Sequence, residues 1–176
     1  MNSATALNDA APAPVRAPRL LGLYLLLILM AAIEAFDGLS HAPVLFGDMS
    51  EIPGPGVGGT IIKAYIASHP LLAVAALVFA TIGKLRYAIM SLGALVLMEW
   101  LNYMPSVVRH GLDFRGISAF ETPIRIVAFP LMGASAIALA ARNQRLGLAA
   151  MLVSIPTLYG VFAVIAFGIG VMLYGF

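Results

Sequence analysis

Five long runs of apolar residues, separated by short polar segments, dominate the chain. A helix that crosses a bilayer needs about 20 mostly apolar residues, and each run is close to or above that length. The pattern therefore predicts an all-α, polytopic transmembrane helix bundle of about five spans. The predicted spans cover residues 20–36, 60–83, 87–104, 122–141 and 146–174.

Polar and helix-breaking residues mark the predicted ends of the spans. Residues 1–18 are rich in Ala, Pro, Ser and Asn, and we expect a disordered tail there. Pro105 is expected to end the third span, while Thr122-Pro123 has the pattern of a helix start, with a hydroxyl cap and a first-turn proline. Residues 19–176 then form a single bundle with no room for a second domain.

Composition supports residence in a membrane. Hydrophobic residues make up 61% of the 176 residues and charged residues 10%, against about 45–50% and about 25% in soluble domains. The net charge of +2 does not indicate nucleic-acid binding, because most basic residues stand at the ends of apolar runs, where they set topology. The absence of cysteine excludes disulfides, thiolate metal sites and cysteine catalysis.

Basic residues predict the orientation. With five spans, three basic pairs fall on one side of the membrane, which the positive-inside rule makes cytoplasmic. These pairs are Arg16/Arg19, Lys84/Arg86 and Arg142/Arg145. The N-terminus is then cytoplasmic and the C-terminus outside, as expected for a bacterial-type inner (plasma) membrane. The first apolar run could instead be a cleaved signal peptide, which would leave this orientation unchanged.

Polar residues inside the apolar runs are costly in lipid, so each is a candidate for function. Counting from the basic end of each span, at about 1.5 Å per residue, places five side chains from five spans at nearly one depth. They are Glu34, His69, Glu99, Arg125 and Tyr159. Asn102 follows Glu99 on the same helix face.

The shared depth of these groups suggests how they would pair. We expect an ion pair between Arg125 and either Glu34 or Glu99, with His69 and Tyr159 hydrogen-bonded in the same layer. Three prolines lie just beneath the layer, and each removes a backbone hydrogen bond and tends to kink its helix. They are Pro70, Pro130 and Pro156. Such kinks could open a cavity toward the outside or could serve helix packing, and the sequence leaves both open.

The outer loops offer a second candidate site. Asp37 and His41 have helical ligand spacing, and His110 and Asp113 lie in the other outer loop. Together they could bind Zn, Cu or Fe, although solvated loop residues would show the same pattern. A bis-histidine haem is not expected, because only His69 lies deep in a span.

Three functions stay open. The leading hypothesis is a small integral membrane protein that binds or passes a proton, ion or small polar ligand at an outward-facing intramembrane polar site. It could do so as a subunit of a larger complex. The alternatives are a purely structural complex subunit with internally paired charges and a metal-dependent membrane enzyme, which is less favoured because no catalytic motif appears. The expected partners are the lipid bilayer and other membrane proteins or a second copy, and not nucleic acid.

Overall fold

The computed structural model describes residues 17–47 and 56–175, and within these residues it is all-helical, with five long helices and no strand. The all-α prediction is confirmed for this part of the chain. The helices are α1 (Ala17–His41), α2 (Val57–Thr81), α3 (Leu85–His110), α4 (Ser118–Ala141) and α5 (Leu146–Tyr174), with a 3₁₀ turn at Ala42–Phe46. Of these, α1, α2, α4 and α5 are long and apolar enough to cross a membrane.

The bounds of α1 and α2 differ from the predicted spans by a few residues. Residues 1–16 of the predicted tail, with Arg16, lie outside the described residues, and Ala17 already belongs to α1. α1 continues beyond residue 36 to His41, and α2 begins at Val57 rather than at residue 60.

Pro105 does not end α3, contrary to the prediction. The helix continues to His110 and stops at Gly111, which adopts φ 78° and donates its N–H to the carbonyl of Val107. A proline within a helix costs one backbone hydrogen bond, and here packing on α2 accommodates its ring. A Cβ placed on Gly58 would lie 3.3 Å from the Pro105 Cβ, so a glycine faces the proline.

Thr122-Pro123 is also not a helix start, because α4 begins one turn earlier, at Ser118. Thr122 is buried, and its hydroxyl donates to the backbone carbonyl of Asp113. It therefore ties the preceding loop to the helix instead of capping it. After Pro123 the helix widens into one π turn, Ile124–Ala128, and then continues as a regular α-helix.

α3 is the central helix, since it packs against all four others. Its main chain touches that of α4 through two glycines: a Cβ on Gly133 would lie 3.1 Å from the carbonyl oxygen of Gly93. Buried alanines such as Ala76 on α2 and Ala136 on α4 likewise keep the helices close. Small residues at helix contacts are typical of membrane bundles.

Short linkers set the direction of the helices. Residues 82–84 join α2 to α3, and residues 142–145 join α4 to α5, so each pair is antiparallel. The Tyr24 hydroxyl donates to the carbonyl of Gly83, which places the first turns of α1 at the same end as that linker. We call this end, with its Lys and Arg residues, the basic end, and the other end the opposite end.

α5 belongs to the bundle only over its first half. Its buried residues all lie between Ala149 and Thr157. Beyond Thr157 it exposes large apolar side chains, among them Phe162 and Phe167 at 67% and 70%. The side of α1 that faces this segment is therefore left partly open.

Candidate functional site

A carboxylate, an imidazole and a hydroxyl meet between α1, α2 and α5. Glu34 Oε2 lies 3.2 Å from His69 Nε2, and the Thr157 hydroxyl donates to Glu34 Oε1 over 2.7 Å. His69 and Thr157 are buried, and the Glu34 side chain is 22% exposed. Both carboxylate oxygens therefore have protein partners, and the carboxylate is held in one orientation.

The close approach of α1 and α2 brings Glu34 and His69 together. Gly38 lies one turn after Glu34, and a Cβ placed on it would stand 3.0 Å from Pro70 Cα and 3.3 Å from the His69 ring. Both distances are tighter than nine in ten real Cβ contacts, so a side chain here would require the facing atoms, which include the Pro70 backbone, to move by a few tenths of an ångström.

Asp37 and His41 extend this group along α1 toward the opposite end. Asp37 Oδ2 lies 3.9 Å from His69 Nδ1, and Asp37 Oδ1 lies 3.8 Å from His41 Nδ1. The side chains of Asp37 and His41 are 54% and 68% exposed, whereas that of His69 is 8% exposed. The titratable groups thus form a line from the surface to the buried Glu34–His69 pair.

Glu99 stands beside this group on the central helix. Its side chain makes no hydrogen bond or ion pair with any residue that the structure describes. It is also exposed, although α3 packs against all the other helices. The reason is that three cavities adjoin it.

The first two cavities continue the polar layer on either side of Glu99. One, of about 150 Å³, lies between α2, α3 and α4. Its polar and aromatic lining consists of Tyr65, Glu99, Trp100, Asn102, Tyr103, Arg125 and Phe129. The second, of about 10 Å³, separates Glu99 from the Glu34–His69 pair and has room for about one water molecule. The third opens between α1 and α5 and is described below.

Arg125 does not form the predicted ion pair with Glu34 or Glu99. Its guanidinium lies over the Tyr159 ring, 5.7 Å from the ring centroid, and the Tyr159 hydroxyl donates to Glu121 over 3.0 Å. The π turn that contains Arg125 widens the helix locally and so changes the direction in which the side chain leaves it. The partner of Glu34 is His69 instead.

One nitrogen of Arg125 is left without a partner. Its Nε is buried and has no hydrogen-bond partner among the described residues. A buried donor without a partner costs about 1–3 kcal/mol. Arg125 also lines the 150 Å³ cavity.

Trp100 closes the α3–α4 side of this cavity. Its indole N–H donates to the carbonyl of Ile126 over 3.1 Å. Pro130, four residues after Ile126, has no N–H to offer that carbonyl. The indole thus replaces the donor that the proline lacks and joins the two helices.

The structure gathers the six residues proposed for the polar layer into two adjoining groups. Glu34 and His69 form one bonded pair; Glu99, Asn102 and Arg125 line the 150 Å³ cavity, and Tyr159 packs on Arg125. Sequence reasoning missed Tyr65, Glu121 and Thr157. A usable signal existed for two of them, since Tyr65 is one turn before His69 and Thr157 directly follows an in-span proline.

The four residues proposed as metal ligands are not gathered into one group. Asp37 and His41 share α1, His110 ends α3, and the Asp113 carboxylate accepts the backbone N–H of Arg115 in the following loop. Within residues 17–47 and 56–175, no three His, Asp or Glu side chains are arranged to hold a metal ion.

Comparison with known proteins gives no relative: no protein family, no curated protein and no solved structure matches the chain.

Proposed function

We propose that this chain is an integral membrane protein that binds a small polar ligand or ion at the polar site inside its helix bundle. The observation that carries the proposal is Glu99. A charged side chain inside a membrane bundle is costly unless it is paired or faces an aqueous or ligand-filled space. Glu99 faces such a space and has no described partner, so its position favours a ligand.

We propose that the chain crosses the bilayer five times, which would place this site inside the bundle. α3 has 26 residues, joins α2 through a three-residue linker and packs against every other helix. If α2 and α4 cross the bilayer, α3 must return across it between them. α3 is less apolar than the other four helices. This fits its central position, because the neighbouring helices shield its polar residues from lipid.

The basic linkers support the orientation. Lys84 and Arg86 at one linker and Arg142 and Arg145 at the other lie at the basic end, which the positive-inside rule assigns to the cytoplasm. The N-terminus is then cytoplasmic and the C-terminus outside, in a bacterial-type inner membrane. Asp37 and His41 lie toward the outer surface and lead inward to the site.

The cavity lining limits the ligand. Glu99 offers an acceptor, Arg125 offers donors, and Asn102 offers both, so the ligand would carry both kinds of group. A cavity of about 150 Å³ is known to accommodate benzene. The ligand part that fits here is therefore small, about the size of a single six-membered ring.

A structural role is the second candidate, and the Glu34–His69–Thr157 group favours it. Both oxygens of Glu34 are already bonded, as in a network that only locks helices together. In that case the chain would be a structural subunit of a membrane complex, and Glu99 would hold no ligand.

Analysis of co-purifying molecules separates the two candidates. The protein is purified in mild detergent and denatured, and released small molecules are identified by mass spectrometry. We expect one defined polar compound with the wild type, and about a tenfold or greater loss with Glu99→Gln, because an ion pair or charged hydrogen bond is removed. Tyr24→Phe, at the basic end, is the matched control and should retain the compound.

Equal yields from the wild type and Glu99→Gln would refute the site. If the folded wild-type protein released no compound at all, the structural role would be favoured instead.

A further inference from the structure

The third cavity, of about 390 Å³, opens sideways between α1 and α5, and its lining changes character along its length. Its inner part is polar and reaches Glu34, Asp37, His69, Glu99 and Thr157. Its outer part is apolar and is formed by Ile33, Phe36, Val161, Val164 and Ile165. We call the outer part the lateral opening.

The lateral opening exists because α5 leaves the bundle after Thr157. Gly160 lines it, and a Cβ placed on Gly160 would meet no atom within 4 Å. Phe36 and Val164, on its two sides, are 79% and 72% exposed. In a bilayer, apolar side chains at this position face acyl chains, so the opening connects the polar site with the lipid phase.

The charge of the cavity lining determines which polar head group a ligand could carry. The polar part holds three carboxylates and one imidazole, and the described residues that line this cavity include no Lys or Arg. Carboxylates that line a cleft with apolar walls attract cations and repel anions. The ring of Tyr65, which also lines the cavity, offers a π face to an ammonium group.

We infer that the third cavity is a lateral binding site for a lipophilic amine, with its ammonium head at Glu99 and its apolar tail in the lateral opening. This inference rests on the proposed function, because both use Glu99, which lines both cavities. The ammonium is the donor to Glu99, and the acceptor group of the full ligand would lie in the 150 Å³ cavity at Arg125 and Asn102. The ligand reaches the site from the bilayer rather than from water. The apolar tail then contributes to binding in proportion to the area it buries.

Calorimetry with three simple probes tests head and tail separately. Decylammonium, methylammonium and decyl phosphate are titrated into lipid nanodiscs that carry the protein, with empty nanodiscs as the blank. We expect saturable binding of decylammonium and binding of methylammonium weaker by about tenfold or more, because the tail buries apolar area. Decyl phosphate should show no saturable heat, because its head is anionic.

Two glycines of α5 provide a matched pair of variants. Gly160→Leu places a side chain in the lateral opening, whereas Gly168→Leu adds the same side chain on the same helix outside the cavity lining. An added Cβ meets no atom within 4 Å at either position, so both variants should fold. Gly160→Leu and Glu99→Gln should each weaken decylammonium binding by about tenfold, and Gly168→Leu should leave it unchanged.

Three results would overturn the inference: methylammonium binding as tightly as decylammonium, saturable binding of decyl phosphate, or equal effects of the two leucine variants. No saturable binding of decylammonium to the wild type would do the same. If any of these occurs while the co-purifying compound still depends on Glu99, the proposed function stands and only the lateral route and the amine class fail.

Discussion

At the scale of single residues, the bond from Thr157 to Glu34 joins two helices that are far apart in the chain. Thr157 is 7% exposed, and its hydroxyl donates to a carboxylate oxygen over 2.7 Å. Hydrogen bonds to charged groups contribute about 1.5–3 kcal/mol. This hydrogen bond should therefore contribute more to the stability of the bundle than a hydrogen bond that a hydroxyl makes within its own helix.

Replacing Thr157 by valine keeps the shape of the side chain and removes the donor. We expect Thr157→Val to lower the free energy of unfolding by about 1.5–3 kcal/mol, and Thr157→Ser to restore most of the loss. The measurement is circular dichroism during titration of the purified protein with a denaturing detergent.

Ser154→Ala is the control for this prediction. Ser154 is buried one turn earlier, and among the described residues its hydroxyl bonds only to the carbonyl of Ala150 in its own helix. Its loss should cost less than about 1 kcal/mol. Equal costs for Thr157→Val and Ser154→Ala would mean that the bond to Glu34 adds nothing.

The depth of the polar residues could be predicted from the sequence, but their pairing could not. A fixed rise per residue gives the level of Glu34, His69 and Glu99 in their helices. Which face a helix turns to its neighbour depends on packing, and this decides that Glu34 meets His69 rather than Arg125. The position of Arg125 also depends on a π turn, which the pattern of apolar residues does not predict.

At the scale of elements, α3 and α4 are joined at the point where the regular helix of α4 is interrupted. The π turn precedes Pro130, and the Trp100 indole bonds to the carbonyl of Ile126, which Pro130 cannot serve. The same reasoning explains why Pro105 was wrongly predicted to end α3. A proline ends a helix only where no neighbouring element compensates for the lost bond or fits the ring.

A double-mutant cycle measures this compensation. Trp100→Phe should lower the free energy of unfolding by about 1–3 kcal/mol, because the Ile126 carbonyl loses its donor. In a Pro130→Ala background the new backbone N–H can serve that carbonyl. The cost of Trp100→Phe should then fall by at least about 0.5 kcal/mol.

Unfolding of the four proteins in denaturing detergent gives the coupling energy. Strictly additive costs would contradict the view that the indole substitutes for the missing proline donor.

At the scale of the whole molecule, the apolar pattern predicted the helices well, because lipid demands long apolar stretches. The predicted lengths of α1 and α3 were too short, because both helices continue beyond their apolar residues, to His41 and His110. The extra turn of α1 carries Asp37 and His41, which connect the surface with the buried His69.

Single cysteines test the five-span topology directly, because the chain has no cysteine of its own. Ile82 and Phe114 are 57% and 56% exposed at opposite ends of α3. In intact cells, a membrane-impermeant maleimide should label Phe114→Cys, while Ile82→Cys and Gln144→Cys should be labelled only after permeabilisation. Labelling of Ile82→Cys and Phe114→Cys from the same side would show that α3 does not cross.

Gly38 has a consequence for how the functional residues of such a chain are recognised. Gly38 has no side chain and takes no part in chemistry. Because only a hydrogen atom stands between its backbone and Pro70, α1 and α2 can approach closely enough for Glu34 to contact His69. A survey of the site limited to acids, bases and hydroxyls would pass over Gly38. The contact between Glu34 and His69 therefore depends partly on the absence of a side chain at residue 38, and loss of ligand binding in a Gly38 variant would be misread as damage to the fold.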